Sequence, residues 1–136
     1  RVEAHEDFRI IAAGNTVGTG ADIEYTGRFQ LDASSLDRFA LITIDYSKNI
    51  EDAITNGNKE LCEFARKFRK VCEDAGIRCL FTYRSLERIA KLEQIMELPE
   101  VLKIALIKGL GKDDVRIIAN NFKYTNKYVE ALKNLA

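Results

Sequence analysis

Proline is almost missing from this chain. Pro99 is the only one among 136 residues, where average usage would supply about seven. That scarcity excludes Pro-rich linkers and suits a mostly helical chain with few irregular connections. Histidine is as scarce: His5 is the only one. That argues against metal clusters and against a Cys–His or Ser–His catalytic pair elsewhere in the chain. A structural surface role remains for it. Cysteine is present three times, as Cys62, Cys72 and Cys79, an odd number without a CxxC spacing. This suggests neither a disulfide framework nor a cysteine-built zinc site, and reads as small buried hydrophobes in a reducing compartment.

An excess of either charge is missing too. Lys plus Arg is 21 and Asp plus Glu is 21, which argues against a dedicated nucleic-acid binder, since such a protein is plainly basic. No apolar run approaches the roughly 18–20 residues that a membrane span needs. The opening residues, Arg1-Val2-Glu3-Ala4-His5-Glu6, have neither a start methionine nor the pattern of a signal peptide. They read as the interior of a longer polypeptide. What is present is a globular composition, 46% hydrophobic and 31% charged, on a chain with room for one small domain.

The patterning changes about a third of the way along. Residues 8–13 (Phe-Arg-Ile-Ile-Ala-Ala) and 40–45 (Ala-Leu-Ile-Thr-Ile-Asp) are short, nearly continuous apolar runs. Such runs suit strands buried on both faces of a parallel sheet. Between them a Gly-rich stretch and a short helix at 33–36, with Asp32 as its cap, complete a βαβ-like unit. After Tyr46 the apolar spacing becomes helical. A short helix is predicted at 49–54. Leu61, Phe64, Ala65, Phe68, Val71, Cys72 and Ala75 define the next, between an Asn58 cap and a Gly76 stop. A further helix is entered from Ser85, and another has Pro99 in its first turn and ends at Gly109. A last one starts at Asp113 or Asp114 and carries Val115, Ile118, Phe122, Val129 and Leu132 on one face.

The expected fold is therefore an α/β remnant, two parallel strands of a larger sheet, followed by an α-helical bundle. The first domain covers residues 1–48 and the second 49–136. Charge divides similarly: residues 1–56 are net −5 and residues 57–136 net +5. Two parallel strands leave unpaired edges and uncovered faces, so the partner strands are expected outside this chain. A compact α+β domain, with helices covering a two-stranded sheet, is the rival.

Among phosphate-binding motifs, Gly109-Leu110-Gly111-Lys112 fails the G-x-x-x-x-G-K-[ST] pattern, with Leu106 and Asp113 at the decisive positions. Residues 41–45 resemble a strand ending in a magnesium-binding Asp, but Tyr46 stands where a catalytic Glu is usual. Asn15 falls just past the end of an apolar run, where open α/β sheets place ligand-contacting groups. Arg38 precedes the next run and offers a planar fork suited to phosphate. A turn-forming Asn and a salt-bridged Arg are the plain alternatives.

The chain reads Phe8-Arg9-Ile10-Ile11-Ala12-Ala13-Gly14-Asn15-Thr16, then Val17-Gly18-Thr19-Gly20, Tyr25-Thr26-Gly27, Leu31-Asp32 and Leu36-Asp37-Arg38-Phe39. This block resembles the second half of an AAA+ ATPase core of the MoxR and cobaltochelatase-subunit (dynein-related) type, over about 40 residues. The resemblance implies that Asn15 is the sensor-1 residue that positions the attacking water. It implies that Arg38 is the arginine finger reaching a neighbouring subunit's ATP, with Arg28 a second inter-subunit candidate. The helical remainder is similar to the AAA+ lid. There Phe81-Thr82-Tyr83-Arg84-Ser85-Leu86 resembles the sensor-2 segment with Arg84 as its arginine. Tyr83 departs from the small residue or proline usual there, and Arg78 and Arg88 are alternatives.

Walker A and Walker B have no counterpart in the chain. The resemblance thus implies the C-terminal part of a cytoplasmic, ring-forming homo-oligomer, a hexamer, that remodels a protein substrate or adaptor. ATP and Mg²⁺ belong to the full-length parent, and no cofactor is expected in the isolated fragment. The lid is expected to swing on residues 46–49. Two rival functions are a non-enzymatic helical protein-interaction module with a small β cap, and nucleic-acid contact through Lys123, Lys127 and Lys133 near Tyr124 and Tyr128. No membrane or metal site is expected.

Overall fold

Asn58 opens the longest helix among the described residues, and its side chain shows why the helix starts there. The amide oxygen accepts a hydrogen bond from Leu61 N–H at 3.0 Å, satisfying one of the donors that a helix N-terminus leaves free. At the other end Gly76 takes the left-handed conformation, φ 63°, and Ile77 N–H reaches back to the Cys72 carbonyl at 2.9 Å. Glycine adopts that conformation without a Cβ clash, which is why the helix stops there.

A computed structural model describes residues 3–14 and 33–136. Among the described residues the elements are seven helices: α1 (Ala33–Leu36), α2 (Lys48–Ile54), α3 (Lys59–Ala75), α4 (Tyr83–Leu92), α5 (Leu98–Ala105), α6 (Lys112–Asn120) and α7 (Lys127–Lys133). None is long and apolar enough to cross a membrane. The chain divides into two units, Arg1–Thr43 and Ile44–Ala136.

In the first unit the expectation of two parallel strands is overturned. The runs at 8–13 and 40–45 have no strand, and no sheet exists among the described residues. Ile10, Ile11, Leu41 and Ile42 are exposed, Ile11 almost completely at 95%. The physical reason is that a strand is not a local structure. Its backbone groups need a ladder from a neighbour and its side chains need cover. The two runs do not exchange backbone hydrogen bonds. Phe8 N–H bonds instead to the nearby His5 carbonyl at 2.9 Å. The α/β remnant and the rival two-stranded α+β domain both fall with this observation. The short helix predicted at 33–36 is present as α1, while its Asp32 cap lies outside the described residues.

The second unit is a helical bundle around α3, which packs on α2, α4, α6 and α7. Phe64 is fully buried and touches four aromatic rings: Phe68 and Phe81 edge-on, Phe122 and Tyr128 stacked, with centroids 5.4–5.8 Å apart. Each ring comes from a different stretch of chain or a different turn of α3, so one side chain closes most of the bundle. Pro99 sits in the first turn of α5, where its missing N–H costs nothing.

Three boundaries differ from those the spacing predicts. Helix α4 starts two residues before Ser85, because the Thr82 hydroxyl accepts from Ser85 N–H and caps the turn. Helix α5 ends at Ala105, not Gly109. Leu106 and Ile107 leave the helix to enter the core, and both N–H groups bond to the Leu102 carbonyl at 3.0 Å. The predicted last helix is two, α6 and α7. Asn126 restarts the chain by accepting from Val129 N–H at 2.9 Å.

Asn58 also joins α3 to α4 and α7. Its amide donates to Tyr128 Oη at 2.9 Å, and Tyr128 donates in turn to Glu93 Oε2 at 2.7 Å. Burial first, and this carboxylate second, push the Tyr128 phenol far above its ordinary value. Burial and the carboxylates of Glu63 and Glu60 push Tyr124 up to about 12.

Truncation at the centre of the aromatic cluster is expected to cost about 3–5 kcal/mol for Phe64→Ala. Ile95→Ala, at a position 78% exposed, should stay within about 0.5 kcal/mol. Urea titration followed by circular dichroism measures both. The tyrosines set an alkaline limit. Folding raises their pKa above the unfolded value of about 10, so their stabilisation is whole below that pH and is lost as pH rises toward the folded values. Melting temperature should therefore fall steeply above pH about 10, and Tyr128→Phe should flatten that fall.

Candidate functional site

Helix α4 is amphipathic, and its outer face is where unpaired charge collects. Leu86 and Ile89 are fully buried, which directs Arg84, Glu87, Arg88 and Lys91 to the opposite side. These four residues and Leu92 line an open depression of about 320 Å³. Lys91 Nζ pairs with Glu87 Oε1 at 2.6 Å, and the ammonium holds the Glu87 carboxyl below its usual range. Arg84 and Arg88, one turn apart, have no ion-pair or hydrogen-bond partner among the described residues. Two guanidinium forks free for an anion are thus presented by one rigid face.

The start of α4 is held from behind. Tyr83 Oη accepts a hydrogen bond from Ser47 N–H at 2.6 Å, and the Tyr83 ring meets Tyr46 edge-on at 5.1 Å. Arg69 lies 3.7 Å over the Tyr46 ring. Its Nε donates to the Phe81 carbonyl at 2.7 Å, and its Nη1 pairs with Glu51 Oε1. Glu51 is 1% exposed, and Arg66 Nε stands 2.9 Å from its second oxygen. That second contact lacks hydrogen-bond alignment, so charge attraction alone compensates Oε2. The cluster joins α2, α3 and the first turn of α4. Tyr46 and Ser47 are bonded into the helical unit, and Lys48 and Asn49 already lie in α2.

The predicted site residues fare differently. Asn15 and Arg28 lie outside the described residues. Arg38 is exposed, just past α1 in the first unit. Arg84 is exposed on α4 in the second. Arg88, an alternative to Arg84 by sequence, is its neighbour in the same depression. Arg78 is exposed on the α3–α4 connection and is engaged with other groups. The basic residues proposed for nucleic-acid contact do not form a free stripe. Lys127 pairs with Glu93 at 3.0 Å, and Tyr128 is buried.

His5, Glu6 and Asp7 bring potential metal donors within 4.8 Å of one another, all exposed. His5 Nδ1 accepts from Asp7 N–H at 3.2 Å, so the grouping is that of a local turn. The Glu51 cluster went unforeseen. Its signal in the sequence was a carboxylate three residues before Ile54 on the inner face of a short helix, a register where burial demands a partner.

Comparison of the chain with family models, curated proteins and solved structures finds no match.

Removing one partner of a buried ion pair strands the other. Glu51→Ala is expected to destabilise the helical unit by about 3 kcal/mol, measured by urea titration. Arg69→Met should cost less than Arg69→Ala, because it keeps the packing on Tyr46.

Proposed function

We propose that the chain is the C-terminal part of a ring-forming AAA+ ATPase that couples ATP hydrolysis to remodelling of a protein partner. In this reading residues 44–136 act as its helical lid. The observation that carries the reading is the outer face of α4. Arg84, in the segment that resembles sensor 2, is exposed beside Arg88 in an open depression, and both guanidinium groups lack partners among the described residues. An unpaired guanidinium on a helix face is available for charge-assisted, bidentate contact with phosphate. The Phe8–Thr16 and Leu36–Phe39 motifs add support, with Asn15 as sensor 1, Arg38 as the finger in trans and Arg28 as a second inter-subunit candidate.

ATP fits the α4 face by charge. Mg²⁺ does not fit this face, whose one lining carboxylate, Glu87, is paired with Lys91, and its ligands would belong to the rest of the parent. When bound, ATP supplies the phosphoryl group to be transferred. Arg84 and Arg88 would neutralise phosphate charge, and the Glu51–Arg69–Tyr46–Tyr83 cluster would keep the start of α4 rigid behind them. A homo-oligomeric, hexameric ring would present Arg38 to a neighbour. Location in the cytoplasm belongs to the same proposal.

A second reading, a non-enzymatic helical protein-interaction module, draws on the exposed Ile11, Leu41, Ile42 and Ile44 side chains.

The test begins with the coding sequence upstream of Arg1, which should contain a G-x-x-x-x-G-K-[ST] segment. ATP turnover by the assembled product should fall about 10³-fold with Arg38→Ala, and also fall with Arg84→Ala. The isolated 136-residue chain should show no turnover. Unchanged turnover with Arg38→Ala rejects the finger, and an upstream sequence without a phosphate-binding loop rejects the ATPase in favour of the interaction module.

A further inference from the structure

Two of the three cysteines are brought together by the turn that ends α3. Cys72 lies in its last turn, 3% exposed, within the core. Gly76 reverses the chain in the left-handed conformation, and Ile77 N–H bonds back to the Cys72 carbonyl at 2.9 Å. A second tight turn follows, with Cys79 N–H on the Ile77 carbonyl at 3.0 Å. The result packs the half-buried Cys79 against the core cluster that contains Cys72, close enough for the two thiols to shift each other's protonation. Cys79 Sγ also lies 3.7 Å from the Leu106 carbonyl. Cys62 is apart from them near the start of α3, fully buried, with Thr55 Oγ1 at 3.2 Å.

We propose that Cys72 and Cys79 form a reversible intramolecular disulfide when the chain meets a hydroperoxide, making the α3–α4 connection a thiol redox switch. The chemistry follows the difference in exposure. Cys79, the more accessible thiol, attacks peroxide as the thiolate, forming an S–O bond and breaking the O–O bond. The leaving hydroxide takes up the thiol proton as water. Cys72 then attacks the Cys79 sulfenic sulfur, forming the S–S bond, and the departing hydroxide leaves as water with the Cys72 proton. Two thiols lose two electrons and two protons, and one peroxide becomes two waters.

The neighbouring Cys72 thiol favours charge on Cys79, pulling its thiol below the ordinary value against the opposing effect of burial. The same interaction, with burial behind it, pushes Cys72 up. The resolving thiol is thus in place before oxidation, which keeps the sulfenic acid from advancing to irreversible states. Bond formation shortens the thiol contact to about 2.05 Å and releases the Leu106 carbonyl from Cys79. It ties the last turn of α3 to the residues leading into Phe81 and the Thr82 cap of α4. Nothing in this inference depends on the ATPase reading.

The experiment treats the whole chain with hydrogen peroxide, then denatures it and alkylates with N-ethylmaleimide. Adducts should fall from three per chain to one, matching the three cysteines present, and dithiothreitol should restore three. Trypsin cuts after Lys70, Arg78 and Arg84, so the bond should join peptide 71–78 to peptide 79–84. Cys62→Ser should still form the link and Cys79→Ser should not. The peptide map of the unsubstituted chain decides the question even if a variant fails to fold. Three adducts after oxidation, a bond that includes Cys62, links between chains alone, or oxygen added to a single cysteine would each overturn the proposal.

Discussion

Burial of the Phe64 ring is the constraint on which the helical unit depends. Helices α2 and α4–α7 are 7 to 10 residues long, shorter than an isolated helix needs for stability in water. They persist through packing: α4, α6 and α7 lay apolar faces against α3, and α5 packs on α4 and α7. Phe64 meets Phe81 ahead of α4, Phe122 just after α6 and Tyr128 in α7. Without that ring the flanking rings would face a cavity, and short helices have little propensity with which to compensate.

Helix α2 joins the bundle by a different kind of force. Glu51 is a charge in the interior, tolerable only because Arg69 and Arg66 surround it. Arg69 then stacks on Tyr46 and holds the Phe81 carbonyl. One buried carboxylate thereby decides where the helical unit begins. It draws in Tyr46 and Ser47, and through Tyr83 it braces the first turn of α4. The free arginines on the outer face of that helix stand on a supported platform, which is what recognition of an anion at a defined distance requires.

Local signals were readable because they act locally. The Asn58 cap, the Gly76 stop and the apolar spacing of α3 each involve residues within a turn or two, and α3 has the predicted bounds. The boundary between α6 and α7 was not readable, since Phe122 and Val129 both face the core and the periodicity runs across the break. Arg84 and Arg88 could not be ranked by sequence, because their common depression comes from the facing of α4. Cys72 and Cys79 were readable only as separate buried thiols, their contact depending on the Gly76 reversal followed by a second turn.

The apolar runs at 8–13 and 40–45 mark the limit most clearly. Their composition suits a buried strand, yet a strand's hydrogen bonds are made with other segments, and a run carries no record of whether those segments are present. By itself the sequence determined the helical character of residues 48–133, the cap and stop of α3, and the stock of arginines and cysteines. Only the tertiary structure decided that the apolar runs lie exposed without a ladder, that Glu51 gathers Arg66, Arg69 and Tyr46, and that Arg84 stands free beside Arg88. The reason is range. Helical hydrogen bonds and caps close within four residues along the chain, whereas ladders, buried ion pairs and thiol contacts depend on which distant residues the fold places within reach.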